Sequence, residues 1–111
     1  MTQDEYSARV AALNDEFRRR GTGGRITISE QIKARGSAFV SQAKAAVQAD
    51  EAIDPELDPT RRHDFGRVTI EGVRVCWKID YQAAEDPRAP LDLLSQTRTL
   101  RVLSIFTPLE Y

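Results

Sequence analysis

Apolar residues recur along this 111-residue chain with two different periods. Tyr6, Val10, Leu13 and Phe17 follow one another at helical steps, which predicts an amphipathic helix over about residues 3–19. Thr2 and Glu5 have the spacing of a capping box. Arg18, Arg19 and Arg20 bring cations to the negative end of the helix dipole, and Gly21 suits a left-handed C-cap. Arg25-Ile26-Thr27-Ile28 then alternates as a short strand. Ser29 with residues 31–35 makes a helical turn that Gly36 ends. Ser37 is expected to cap a second helix over about 38–50, burying Phe39, Val40, Ala43, Ala46 and Val47.

The strongest alternation lies between Arg61 and Tyr81. Val68 and Ile70, then Val73, Val75, Trp77, Ile79 and Tyr81, alternate with polar residues on either side of Glu71-Gly72. A two-residue turn there sets Ile70 opposite Val73, Val68 opposite Val75 and Gly66 opposite Trp77, so the apolar residues share one face. Residues 82–96 hold two prolines and no clean period, and read as a surface excursion. Residues 97–107 form a last strand, with Leu100, Val102 and Phe106 on one face and Leu103 and Ile105 on the other. Apolar on both faces, it belongs inside a sheet. The order α-β-α-β-β-β predicts a single α+β domain over residues 1–111, with two helices packed on a mostly antiparallel sheet of about four strands.

Composition narrows the classes. A hydrophobic content of 41% with 30% charge suits a soluble globular domain, and no apolar run is long enough to span a membrane. One cysteine permits no internal disulfide, so the expectation is a cytoplasmic protein. The net charge of −1 conceals an acidic segment. Between residues 37 and 60, Lys44 stands against Asp50, Glu51, Asp54, Glu56 and Asp58. These acids, with Arg61 and Arg62 beside them, are the candidate partner-binding surface. Asp54, Glu56 and Asp58 alternate as in a cation loop, but the central glycine and closing glutamate of an EF-hand are missing, so no metal or other cofactor is expected. The run RRRGTGGR lacks the Gly-Lys-Ser/Thr ending of a phosphate loop and reads as a capped helix end and turn.

Extended two residues further, the hairpin register sets His63 opposite Asp80 and Phe65 opposite Lys78. His63, Lys78 and Asp80 would then share a face with Cys76. A carboxylate beside an imidazole is raw material for acid–base catalysis, so these three are the candidate catalytic residues; an ordinary cross-strand ion pair has the same composition. A second possibility gathers Arg61, Arg62, Arg67, Arg74, Lys78, Arg98 and Arg101 on a sheet face with Phe65 and Tyr81 to hold single-stranded nucleic acid. Asp64, Glu71 and Asp80 dilute that charge, and a pI near 5.8 argues against it.

LNDEFR (13–18), GGR (23–25), LDPTRRHDFG (57–66), WKIDY (77–81) and TRTLRVLSIFTPLEY (97–111) resemble an uncharacterised bacterial domain family common on plasmids and integrated elements of alphaproteobacteria. Leu57 and Arg62 stand where that family typically has Asn and Glu, and Tyr81 precedes Gln82 instead of a second Tyr. The resemblance carries no activity with it, but it implies a setting. Small acidic proteins of mobile elements often block host defence, including restriction and CRISPR complexes. The leading expectation is a non-enzymatic protein-binding module, an anti-CRISPR or anti-restriction inhibitor acting through the acidic surface on a protein partner. The alternatives are the single-strand nucleic-acid binder and a small hydrolase built on His63, Asp80 and Lys78.

Overall fold

The computed structural model describes residues 1–88 and 91–110. Ala89 and Pro90 of the 82–96 excursion, and Tyr111 at the end of the resemblance, lie outside the described residues.

Helix α1 runs Gln3–Arg20 and is closed at both ends as its sequence dictates. The Thr2 hydroxyl accepts from Glu5 N at 3.1 Å, and Gly21 sits left-handed at φ 69° while its N–H donates to Phe17 O. Val10 and Phe17 are buried, and so are Ser7, Ala11, Asn14 and Arg18. The inward face is therefore partly polar, which hydrophobic spacing alone does not reveal. Strand β1 covers Gly24–Ile28 and leads into α2 (Glu30–Lys33), the expected turn, capped by Ser29. Helix α3 runs Ser37–Gln48 and buries Phe39, Ala43 and Val47. Its N-cap is Gly36 at φ 100°, not Ser37, and no side chain caps it. Glycine takes the cap because the chain turns there through a conformation that side chains disfavour.

Strands β2 (Phe65–Ile70) and β3 (Val73–Ala83) form the hairpin in the expected register: Ile70 faces Val73, Val68 faces Val75 and Gly66 faces Trp77. Glu71 and Gly72 have φ of 52° and 78°, as a tight two-residue turn with the twist of its strands requires. Strand β4 (Thr99–Phe106) pairs antiparallel with β3 and parallel with β1, giving the order β1-β4-β3-β2. The fold is α+β, with a mixed sheet whose last strand lies in its interior.

The register separates the two sheet faces. Val75, Trp77 and Ile79 of β3, Leu103 and Ile105 of β4, and Ile26 and Ile28 of β1 point to the helices. Trp77 is fully buried and central. A Cβ on Gly66 would come 2.5 Å from its ring, so only glycine fits opposite it. From α1, the Arg18 guanidinium stacks 4.8 Å from the Trp77 ring centroid. The other face carries Phe65, Cys76, Lys78, Asp80, Val102, Ser104 and Phe106. Phe65 meets Phe106 edge-on with centroids 6.3 Å apart.

Candidate functional site

Between α3 and β2 the chain has no helix or strand, and side chains fix its path instead. Asp50 accepts from Trp77 Nε1 at 3.0 Å, anchoring the segment to the core. Asp54 accepts from Glu56 N at 2.9 Å. Asp58, 3% exposed, accepts from Arg62 N and His63 N through its two oxygens, each at 3.1 Å. Those two bonds hold a sharp bend in which Arg61 and His63 both adopt left-handed φ, 59° and 57°. Such backbone is sparsely populated outside glycine and persists where surrounding contacts over-determine it.

The bend delivers His63 to α1. Its Nδ1 lies 3.0 Å from both carboxylate oxygens of Asp15. Asp15 in turn accepts from Arg18 at 3.3 Å, while Arg18 also donates to Val47 O at 2.7 Å. A buried arginine thus aims a half-buried carboxylate, and the carboxylate aims the imidazole. Two openings flank this pair. A groove of about 920 Å³ runs along α1, with Ala8, Ala11 and Ala12 on one wall and Pro59, Arg61 and His63 on the other. A smaller cavity of about 110 Å³ is lined by Asp15, Arg18, Arg19, Glu51, Ile53 and His63.

A second polar cluster ties the same bend to the sheet. Asn14, fully buried, donates to Arg62 O at 2.9 Å and to the Tyr81 hydroxyl at 2.8 Å, and accepts from Arg101 Nε at 2.7 Å. Tyr81 donates to Asp64 at 3.1 Å. Burial is the largest influence on both partners. It raises the Asp64 carboxyl above its ordinary value against the lowering effect of the Tyr81 bond, and it holds the Tyr81 phenol far above its own.

The expected trio of His63, Lys78 and Asp80 does not assemble. Strand β2 begins at Phe65. Asp64 O still accepts from Ile79 N at 2.8 Å, but at His63 the chain turns away toward the helices. Lys78 and Asp80 stay on the far face, paired with each other at 3.4 Å. Cys76 is buried beside them, and burial pushes its thiol up, away from a reactive thiolate. The acidic surface is also smaller than expected. Asp50 and Asp58 are buried and spent on Trp77 and on the bend, and Glu51 pairs with Arg19 at 3.0 Å. Glu56 and Arg61 are exposed and Asp54 partly so, while half-buried Arg62 packs 5.5 Å over Tyr6. The basic set divides as well: Arg67, Arg74 and Lys78 share the outer face, whereas Arg101 and Tyr81 point to the helices. No group of three His, Cys, Asp or Glu side chains among the described residues is placed to hold a metal ion, and none of their helices is long and apolar enough to cross a membrane.

Residues 28–110 match a family model described as Protein of unknown function (DUF3768). The chain belongs to this family. No curated protein and no solved structure matches it. The DUF3768 match takes in α2, α3 and strands β2 to β4, and with them His63, Asp64, Trp77 and Tyr81. It leaves out α1, so Asn14, Asp15 and Arg18 reach the cluster from outside the matched segment. From sequence, Asn14 and Asp15 carried no role and Arg18 only that of a cation at the helix end. For Asn14 and Arg18 the available signal was spacing: Ser7, Ala11, Asn14 and Arg18 follow steps of four, three and four, one position on from the apolar stripe, whereas Asp15 lies off that series.

Proposed function

We propose that the protein is a protein-binding module whose contact surface is formed by Asp54, Glu56 and Arg61 of the loop between α3 and β2, the last of which lines the α1 groove. The observation that carries this reading is the bend at Asp58. Two left-handed residues, held by one buried carboxylate, stiffen a segment with no ladder of its own and present exposed charges of both signs. A surface ordered in advance loses less entropy on binding, and its charges select the partner by complementarity. The resemblance to alphaproteobacterial mobile-element proteins supplies the setting: an inhibitor of restriction or CRISPR complexes, working on a host protein inside the cytoplasm.

The test is capture from lysate of a defence-proficient host, followed by quantitative binding of whatever purified complex is recovered. The double change E56K/R61E should abolish that binding while leaving the melting temperature close to wild type, because both side chains are exposed. A wild-type chain that recovers no partner and leaves restriction and CRISPR interference intact sinks the proposal.

A further inference from the structure

We infer that His63, Asp15 and Arg61 form an acid–base site at the α1 groove, suited to the hydrolysis of a carboxylic ester with a short apolar acyl chain. The inference does not depend on the binding surface proposed above: the two share Arg61, but the base and its orienting carboxylate, His63 and Asp15, are not part of that surface. Asp15 faces Nδ1 with both oxygens at 3.0 Å, an arrangement that favours the tautomer with its proton on Nδ1 and its lone pair on Nε2. Nε2 receives no hydrogen bond among the described residues. The imidazole side chain is 38% exposed against 17% for Asp15, so the ring is the more open member of the pair, and it lines the α1 groove. The order Arg18, Asp15, His63 is that of a base whose orienting group is itself oriented.

The groove supplies the rest. Ala8, Ala11 and Ala12 give the α1 wall a small, apolar patch for an acyl chain, bordered by Asp4 and Ser7, and Arg61 is the cation on the same wall as His63. A water on Nε2 attacks the carbonyl carbon: its oxygen forms the new C–O bond and its proton passes to Nε2. Arg61 is the group available to the oxyanion. The intermediate then collapses, the ester C–O bond breaks, and the leaving alkoxide takes the proton back from Nε2. The products are a carboxylic acid and an alcohol, with His63 restored. No oxidant, metal or second nucleophile enters.

Hydrolysis of p-nitrophenyl acetate and butyrate tests this, with free imidazole at equal concentration as the reference. A positioned base should exceed that reference by ~10²-fold or more. H63Q should fall to background, D15N should lose about tenfold or more by releasing the tautomer, and R61A should lower kcat more than it raises KM. Because His63 is the chain's only histidine, nitrogen NMR reads it alone, and the proton should be found on Nδ1. The rate should follow the His63 titration seen in the same spectra. If H63Q does not fold, ethoxycarbonylation of wild-type His63 takes its place and should remove the activity. A wild-type rate no greater than imidazole, an H63Q or modified chain as active as wild type, or a proton on Nε2 overturns the inference.

Discussion

The β2–β3 hairpin and the segment between Asp50 and Asp64 are held in opposite ways. The hairpin rests on its own backbone ladder, six paired positions closed by a two-residue turn, with side chains added to a path already set. The Asp50–Asp64 segment has no ladder, and its path is drawn by Asp50, Asp54, Asp58 and Asp64 reaching backbone amides or distant side chains. A ladder divides its stability among many similar bonds, whereas the loop concentrates it in a few carboxylates. Single substitutions should therefore be felt across the whole domain in one region and locally in the other, and Trp77 belongs to both.

Trp77→Ala should have the largest effect, about 3–5 kcal/mol, because it empties the centre of the core and leaves Asp50 Oδ2 without its donor. Chemical denaturation measures it, and a loss below about 1 kcal/mol means the loop is not anchored to the hairpin through this residue. Gly66→Ala isolates the hairpin. Its methyl would collide with the buried ring, costing about 1–3 kcal/mol across the whole domain. Asp58→Ala isolates the loop. It leaves the Arg62 and His63 amides without their acceptor, and about 1–3 kcal/mol should be lost. Hydrogen exchange should quicken at residues 58–63 before it does in β2 and β3, and uniform quickening would erase the contrast between the regions.

The hairpin was legible in the sequence because its information is local. Alternation and a turn with a glycine fix register without reference to the rest of the chain, and even Glu71, a poor residue for positive φ, did not displace it. The loop was not legible because its information is distant. Asp58 as a bend-former is readable only once His63 is known to leave the strand, and Asp15 as the partner of His63 lies 48 residues away. Acidic residues in a proline-broken segment look the same in sequence whether they face solvent or a backbone amide. The acid–base cluster therefore shares only His63 with the catalytic trio that spacing predicts, whereas Asp54, Glu56 and Arg61 of the contact surface were all in the set read from the sequence.

Two smaller changes sharpen the comparison. Glu71→Asn gives the tight turn its preferred Asn-Gly pair and should stabilise the domain by about 0.5–1 kcal/mol, read as a rise in midpoint. Asp64→Asn tests the join between regions by pH. The folded-state value of Asp64 lies above its ordinary 3.8, so its protonation favours the native state. That stability is fully present below 3.8 and is lost as pH rises through the raised folded value. Wild type should therefore weaken relative to Asp64→Asn over that interval, and parallel pH profiles for the two chains would remove Asp64 as the cause.

Strand β4 comes after every other strand in the sequence, yet it lies between β1 and β3. Its parallel partnership with β1 joins Gly24 to Arg101. As the polypeptide emerges from a ribosome, α1, β1, α3 and the finished hairpin must wait without a shared sheet until residues 99–106 arrive. Contacts so far apart in sequence slow folding, and a waiting β1 exposes Ile26 and Ile28 along an unpaired edge. Assembly is thus gated by the arrival of one late strand, and substitutions in β4 should raise aggregation during synthesis out of proportion to their effect on the purified, folded molecule.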